Sequence, residues 1–219
     1  MNRPGQTAAI DRPDDVGPRP VAFRDQNSLT RALQFLLVAY IVVCIIRFLS
    51  DLAQYQLPFS DVEAQRIVGI AGEVLLVITT IVFGCWIYRA NANARSLGAS
   101  GMRFSPGWSV GWYFVSIANL WKPFQAMREI WKASDNPQHW QSAPDDPILG
   151  WWWFGWIVSN IDISSLFGAH MSSLAATIVS FIHELFKTFA VCLALILITR
   201  LYRLQKSQAS QSLARTISS

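Results

Sequence analysis

Apolar residues in this chain fall into long blocks, with polar residues gathered between them. The first block, LQFLLVAYIVVCIIRFL at residues 33–49, is wide enough with its flanks to cross a hydrocarbon core of roughly 30 Å. An acidic loop with Pro58 as its turn follows. The second block, IVGIAGEVLLVITTIVFGCWIY at residues 67–88, closes on Trp86 and Tyr88, residue types suited to the membrane interface. A polar connector at 89–103 carries Arg89, Arg95 and Arg103. The block at 148–168, ILGWWWFGWIVSNIDISSLFG, opens on Trp151, Trp152, Trp153 and Trp156, a cluster expected at a headgroup boundary. A last apolar region from about 174 to 202 is too long for one untilted crossing. Residues 1–29, with Pro4, Pro13, Pro18 and Pro20 among mixed charges, and residues 206–219, rich in Ser and Gln, are expected to be disordered tails. The expected fold is therefore an all-α, polytopic helical membrane domain over residues 30–205.

One stretch between these blocks decides the count of crossings: RFSPGWSVGWYFVSIANLWKPFQAMREIWKASD, residues 103–135. Ser105-Pro106 is a helix start, a serine N-cap followed by a proline whose missing N–H costs nothing there. Gly107 and Gly111 form a small-xxx-small pair, candidates for close helix packing. Pro123 removes an N–H and clashes with the Asn119 carbonyl, limiting the preceding helix to residues 106–119, roughly 21 Å and too short to cross unaided. Downstream, Phe124, Met127, Ile130 and Trp131 share one helical face and Gln125, Arg128, Glu129 and Lys132 the other, which predicts an interfacial amphipathic helix. Trp121, Lys122, Pro123, Arg128, Trp131 and Lys132 are its candidate interfacial residues. With a cytoplasmic N-terminus, the positive-inside rule favours a re-entrant or surface segment and four crossings over the alternative of five, because Lys122, Arg128, Lys132, Arg200 and Arg203 then stay inside.

Composition agrees with a membrane location: 52% of the 219 residues are hydrophobic and 15% charged, against about 25% charged in soluble domains. The net charge of +4 comes from basic residues flanking apolar blocks, which fits an anionic membrane face and not nucleic acid. Cys44, Cys85 and Cys192 lie apart inside apolar blocks and read as buried hydrophobes. No cleavable signal pattern stands near the first block, which is read as an anchor.

Ionisable residues inside apolar blocks are the candidates for chemistry. Arg47 and Glu73 lie at similar distances from the Pro58 turn and can pair. Asp162 sits with Asn160 late in the Trp-rich block, as a helix cap or an interface group. Glu184 and Lys187 of HELFK are three apart on a helix and can neutralise each other. The second histidine of HExxH is missing, so no metal or other cofactor is expected.

The run RANANARSLGASGMRFSPGWSVGWYFVSIANLWKPFQAMREIWKASD, followed by ILGWWW, resembles the bacterial membrane family known as domain of unknown function 4328. The resemblance spans roughly residues 30–205 and implies a multi-pass membrane protein with no assigned activity. Family members usually carry proline where Ser116 stands, so one helix break that the resemblance implies is absent. The leading expectation is a non-enzymatic interaction or scaffold module in the bacterial cytoplasmic membrane, with the lipid bilayer, a protein partner or its own copies as ligands. A small transporter or channel subunit using intramembrane carboxylates is the alternative, and an intramembrane enzyme the third.

Overall fold

The computed structural model describes residues 23–56, 62–161 and 173–218. Among them, helices and turns account for the ordered backbone and there is no strand. The long helices are α1 (Asn27–Gln56), α2 (Val62–Ser96) and α6 (Ser173–Ser218). Between α2 and α6 lie α3 (Pro106–Gly111), α4 (Lys122–Asp135) and α5 (Pro147–Ser159). Three helical stretches are long and apolar enough to cross a membrane: Asn27–Ser50, Glu63–Ser96 and Ile178–Arg215.

Side-chain contacts fix how these helices run. Trp86 Nε1 donates to Thr30 Oγ1 at 3.0 Å, and Arg47 Nη1 stands 3.6 Å from Glu73 Oε1, so α1 and α2 are antiparallel. Gln26 Nε2 donates to Gln205 Oε1 at 3.1 Å, Gln34 Nε2 to Thr199 Oγ1 at 2.8 Å, and the Phe48 and Phe181 rings meet at 5.1 Å. Hence α6 is also antiparallel to α1. The start of α1, the end of α2 and the last turns of α6 share one end of the molecule, called here the tail end.

α5 starts at that end, where Arg200 Nη1 is 3.5 Å from Asp146 Oδ2, and runs along α6 until Ser159 O lies 2.7 Å from His183 Nε2. Its 13 residues span roughly 20 Å. Gly155 permits the close approach: a Cβ there would stand 3.0 Å from Phe189 Cδ1 and 3.3 Å from Ala190 Cβ. Asp146 caps the helix by accepting from Ile148 N–H at 2.9 Å.

The apolar core gathers toward the tail end. Leu33, Leu37, Trp86, Ile87, Met127, Ile130, Trp131, Leu149, Trp152, Leu197, Ile198 and Leu201 are buried together. Farther along, α1, α2 and α6 present Val42, Ile45, Ile70, Val74, Phe181 and Leu185 outward, as lipid-facing helices do.

Several expectations change against this frame. The 14-residue helix before Pro123 is replaced by the six residues of α3 and two short 3-10 turns, Trp112–Phe114 and Ala118–Leu120. Pro123 does not kink a helix; it stands in the first turn of α4, where its missing N–H has no intrahelical partner to lose. The amphipathic face of α4 meets protein: Met127, Ile130 and Trp131 are buried in the core. Trp152 and Trp153 are also buried, packed in an aromatic cluster with Phe83, Tyr113, Phe124 and Trp156. Residues 206–218, expected as an unstructured tail, continue α6, with Gln208 Nε2 donating to Asp135 O at 2.7 Å. Nearer the N-terminus, residues 23–29 are ordered: Asp25 Oδ1 accepts from Asn27 N–H at 3.0 Å as α1 begins.

Candidate functional site

The segment between α2 and α4 departs and returns on the same side. After α2, Gly98 adopts φ +110°, a conformation that glycine takes without a Cβ penalty. The chain reverses toward Ser105, which caps α3 by accepting from Trp108 N–H at 3.3 Å. α3 then descends along α2: Asn91 Nδ2 donates to Phe104 O and Ser109 Oγ at 2.9 and 2.7 Å, Val110 packs near Gly84, and Tyr113 meets Phe83 edge-on.

The chain turns at Ile117, with φ 65° and ψ −55°, and Ala118 N–H donates to Ser116 O at 2.7 Å. This is a γ-turn at positive φ around a β-branched residue, a strained geometry. It then climbs back until Lys122 Nζ lies 5.8 Å from the Phe104 ring and 5.6 Å from Trp112. Departure and return are locked together because Glu129 of α4 accepts from Phe104 N–H at 3.1 Å.

Buried polar side chains stitch the tail end. Gln205 Nε2 donates to Ala90 O at 2.8 Å and Ser134 Oγ at 2.9 Å, joining α6 to α2 and α4. Arg95 donates to Asn91 Oδ1 and to the carbonyls of Met102 and Phe104. Asn93 holds the Arg24 backbone reciprocally, accepting from its N–H at 3.1 Å and donating to its carbonyl at 2.9 Å. None of Asn91, Asn93, Glu129, Ser134 or Gln205 was singled out by sequence reasoning. The signal available was RANAN, two amides directly after an apolar block.

The singled-out residues occupy separate places. Arg47 and Glu73 pair between α1 and α2, and Glu184 Oε2 lies 3.3 Å from Lys187 Nζ on α6. Asp162 falls outside the described residues. Gly107 faces open space, while Gly111 faces the Trp108 ring of its own helix, 3.1 Å from where a Cβ would stand. Trp121 is exposed and Pro123 buried. Arg128 forms a two-toothed ion pair with Asp145, whose other neighbour, Lys132 Nζ, stands at 3.3 Å. The hydrogen bonds from Arg128 hold the Asp145 carboxyl below its ordinary pKa. Within the returning segment, Trp112 Nε1, Tyr113 OH and Asn119 Oδ1 are buried without a hydrogen-bond partner among the described residues. Those residues contain no cluster of His, Cys, Asp and Glu that could hold a metal ion.

Long apolar helices laced at one end by polar bonds define an all-helical integral membrane protein. The chain belongs to the family described as Domain of unknown function (DUF4328), whose profile matches residues 49–205. No curated protein and no solved structure matches the chain.

Proposed function

We propose that this protein is a non-enzymatic module of the bacterial cytoplasmic membrane, with four crossings and one re-entrant segment, that binds a protein partner or a second copy of itself within the bilayer. The four-crossing topology draws support from parity. The Gln26–Gln205 hydrogen bond joins the start of α1 to the later turns of α6, which supports an even number of crossings. α5, running from the tail end along α6, then belongs to the outward leg. The side chains of Arg89, Arg128, Lys132 and Arg203 belong to the same end, which makes it the cytoplasmic one under the positive-inside rule.

The binding role rests on the tip of the re-entrant segment. Phe114 and Ile117 are 79% and 74% exposed there, beside a backbone turn that costs about 1–3 kcal/mol unless its surroundings hold it. A framework that maintains a strained apolar tip in the bilayer suits contact with another helix. The test is a photo-crosslinking amino acid in place of Ile117, activated in intact membranes. A polypeptide adduct of one defined mass is expected; adducts with lipid alone overturn the partner reading.

The transporter or channel alternative is favoured by Glu184, whose Oε1 is buried without a hydrogen-bond partner among the described residues. Under it, Glu184→Gln abolishes solute or ion flux into proteoliposomes at unchanged protein abundance, and unaltered flux removes it.

A further inference from the structure

A groove of about 1430 Å³ runs down the outside of α2, between the first turns of α1 and helix α3. It is larger than the roughly 300–1,000 Å³ of ordinary small-molecule sites. Its deep part is apolar, walled by Leu76, Val77, Ile81, Val110 and Phe114, while its mouth at the tail end carries Arg24, Arg89 and Arg95. From Leu76 to Arg89 the α2 wall rises roughly 20 Å, comparable with one leaflet of a hydrocarbon core about 30 Å thick. We propose that this groove is a binding site for one anionic glycerophospholipid, with an acyl chain along α2 and its phosphate between Arg24 and Arg89.

The charges at the mouth differ in availability. Arg95 is engaged with Asn91 and two backbone carbonyls. Among the described residues, Arg24 and Arg89 form no ion pair and no carboxylate lines the groove. Neighbouring Asp25 is turned toward α6, where its Oδ1 accepts from Tyr202 OH at 3.3 Å. The Asn93 amide pins the Arg24 backbone against α2, so the base of this side chain is fixed at the groove mouth before any ligand arrives. Two unpaired guanidinium groups suit a phosphodiester. A zwitterionic headgroup would bring an ammonium that meets no carboxylate among the described lining residues, so the selectivity is for net negative lipid. The opposite wall is kept low by Gly107: a Cβ there meets nothing within 4 Å, leaving the space beside α3 open from the bilayer. The proposal requires membrane insertion and is independent of whether a protein partner binds the re-entrant tip.

The test uses the full-length protein, purified and delipidated, titrated with phosphatidylglycerol or phosphatidylcholine and followed by native mass spectrometry. One phosphatidylglycerol is expected to be retained in preference to phosphatidylcholine. The double variant Arg24→Gln/Arg89→Gln lowers that affinity about 30-fold, as loss of two basic contacts near a membrane surface implies, whereas Arg203→Gln leaves it unchanged. Gly107→Trp fills the groove and removes retention of either lipid, with an unaltered circular dichroism spectrum showing that the fold persists. Equal retention of the two lipids, or unchanged retention in the double variant, overturns the proposal. A photo-crosslinker at Gly107 gives an independent readout: a lipid adduct supports the site, and an adduct with residues 1–22 or another polypeptide overturns it.

Discussion

Glu129 offers the sharpest test of how the segment between α2 and α4 is held. Its side chain is 3% exposed, and its Oε1 accepts from the buried Phe104 N–H at 3.1 Å. The second contact, to Arg103 Nε at 3.5 Å, involves a guanidinium side chain that is 69% exposed, so little stability is assigned to it. Glu129→Ala removes the acceptor and leaves a buried backbone donor without a partner. A hydrogen bond to a charged group contributes about 1.5–3 kcal/mol, and orphaning a buried donor costs a similar amount. These describe one event from two sides and do not add, so the expected loss is about 2–3 kcal/mol. Glu129→Gln retains an oxygen at the same place and should lose no more than about 1 kcal/mol. The assay is reversible unfolding of the purified protein in bicelles, read by the binding of a bulky trap to a labelled site. An alanine variant indistinguishable from wild type would refute the role of this bond. A glutamine variant as damaged as alanine would transfer the effect to charge pairing with Arg103.

Other expectations follow from single contacts. Gly155→Leu forces a side chain into Phe189 and Ala190 and should destabilise the α5–α6 pair by about 1–3 kcal/mol, while Gly155→Ala is milder; the same unfolding assay separates them. Ile117→Gly relieves the positive-φ turn at an exposed position, and after the entropic cost of glycine the protein should gain about 1 kcal/mol; a loss would mean the Ile117 side chain stabilises the tip. The carboxyl of Asp145 has a pKa lowered chiefly by its hydrogen bonds with Arg128. Its contribution is therefore complete above the unfolded value near 3.9 and disappears as pH falls through the lower folded value. Because both partners are half exposed, it amounts to at most about 1 kcal/mol. The stability difference between wild type and Asp145→Asn should accordingly shrink below about pH 4 and stay constant above pH 5.

The broad design was legible because apolar blocks near membrane thickness leave few alternatives to helices. The Ser105-Pro106 start was equally plain, since a cap and a proline act locally. What escaped was set by tertiary packing. Pro123 read as a break because a proline in a helical pattern is ambiguous until its position in the turn is known, and α4 starts one residue before it. The Ile117 turn carries neither glycine nor proline and left no local signal. Trp131, Trp152 and Trp153 have the composition of an interface but face the core, because the segment between α2 and α5 builds protein around them. Glu129 read as a solvated face residue, and only the fold brings Phe104 N–H to it. Nor did the sequence mark Ser134, whose hydroxyl is buried and donates to Ile130 O at 2.7 Å.

The central claim, that residues 105–121 enter the membrane and return on the side they left, is tested most directly at two exposed positions. In a variant whose three native cysteines are replaced, Gln138→Cys follows α4 and Ser207→Cys reports the end of α6. Each is treated with a membrane-impermeant thiol reagent in intact cells and again after permeabilisation. The account predicts identical behaviour, with both cysteines labelled only after permeabilisation. Labelling of Gln138→Cys in intact cells would mean that the segment crosses the bilayer, which contradicts the return of the chain to the side it left.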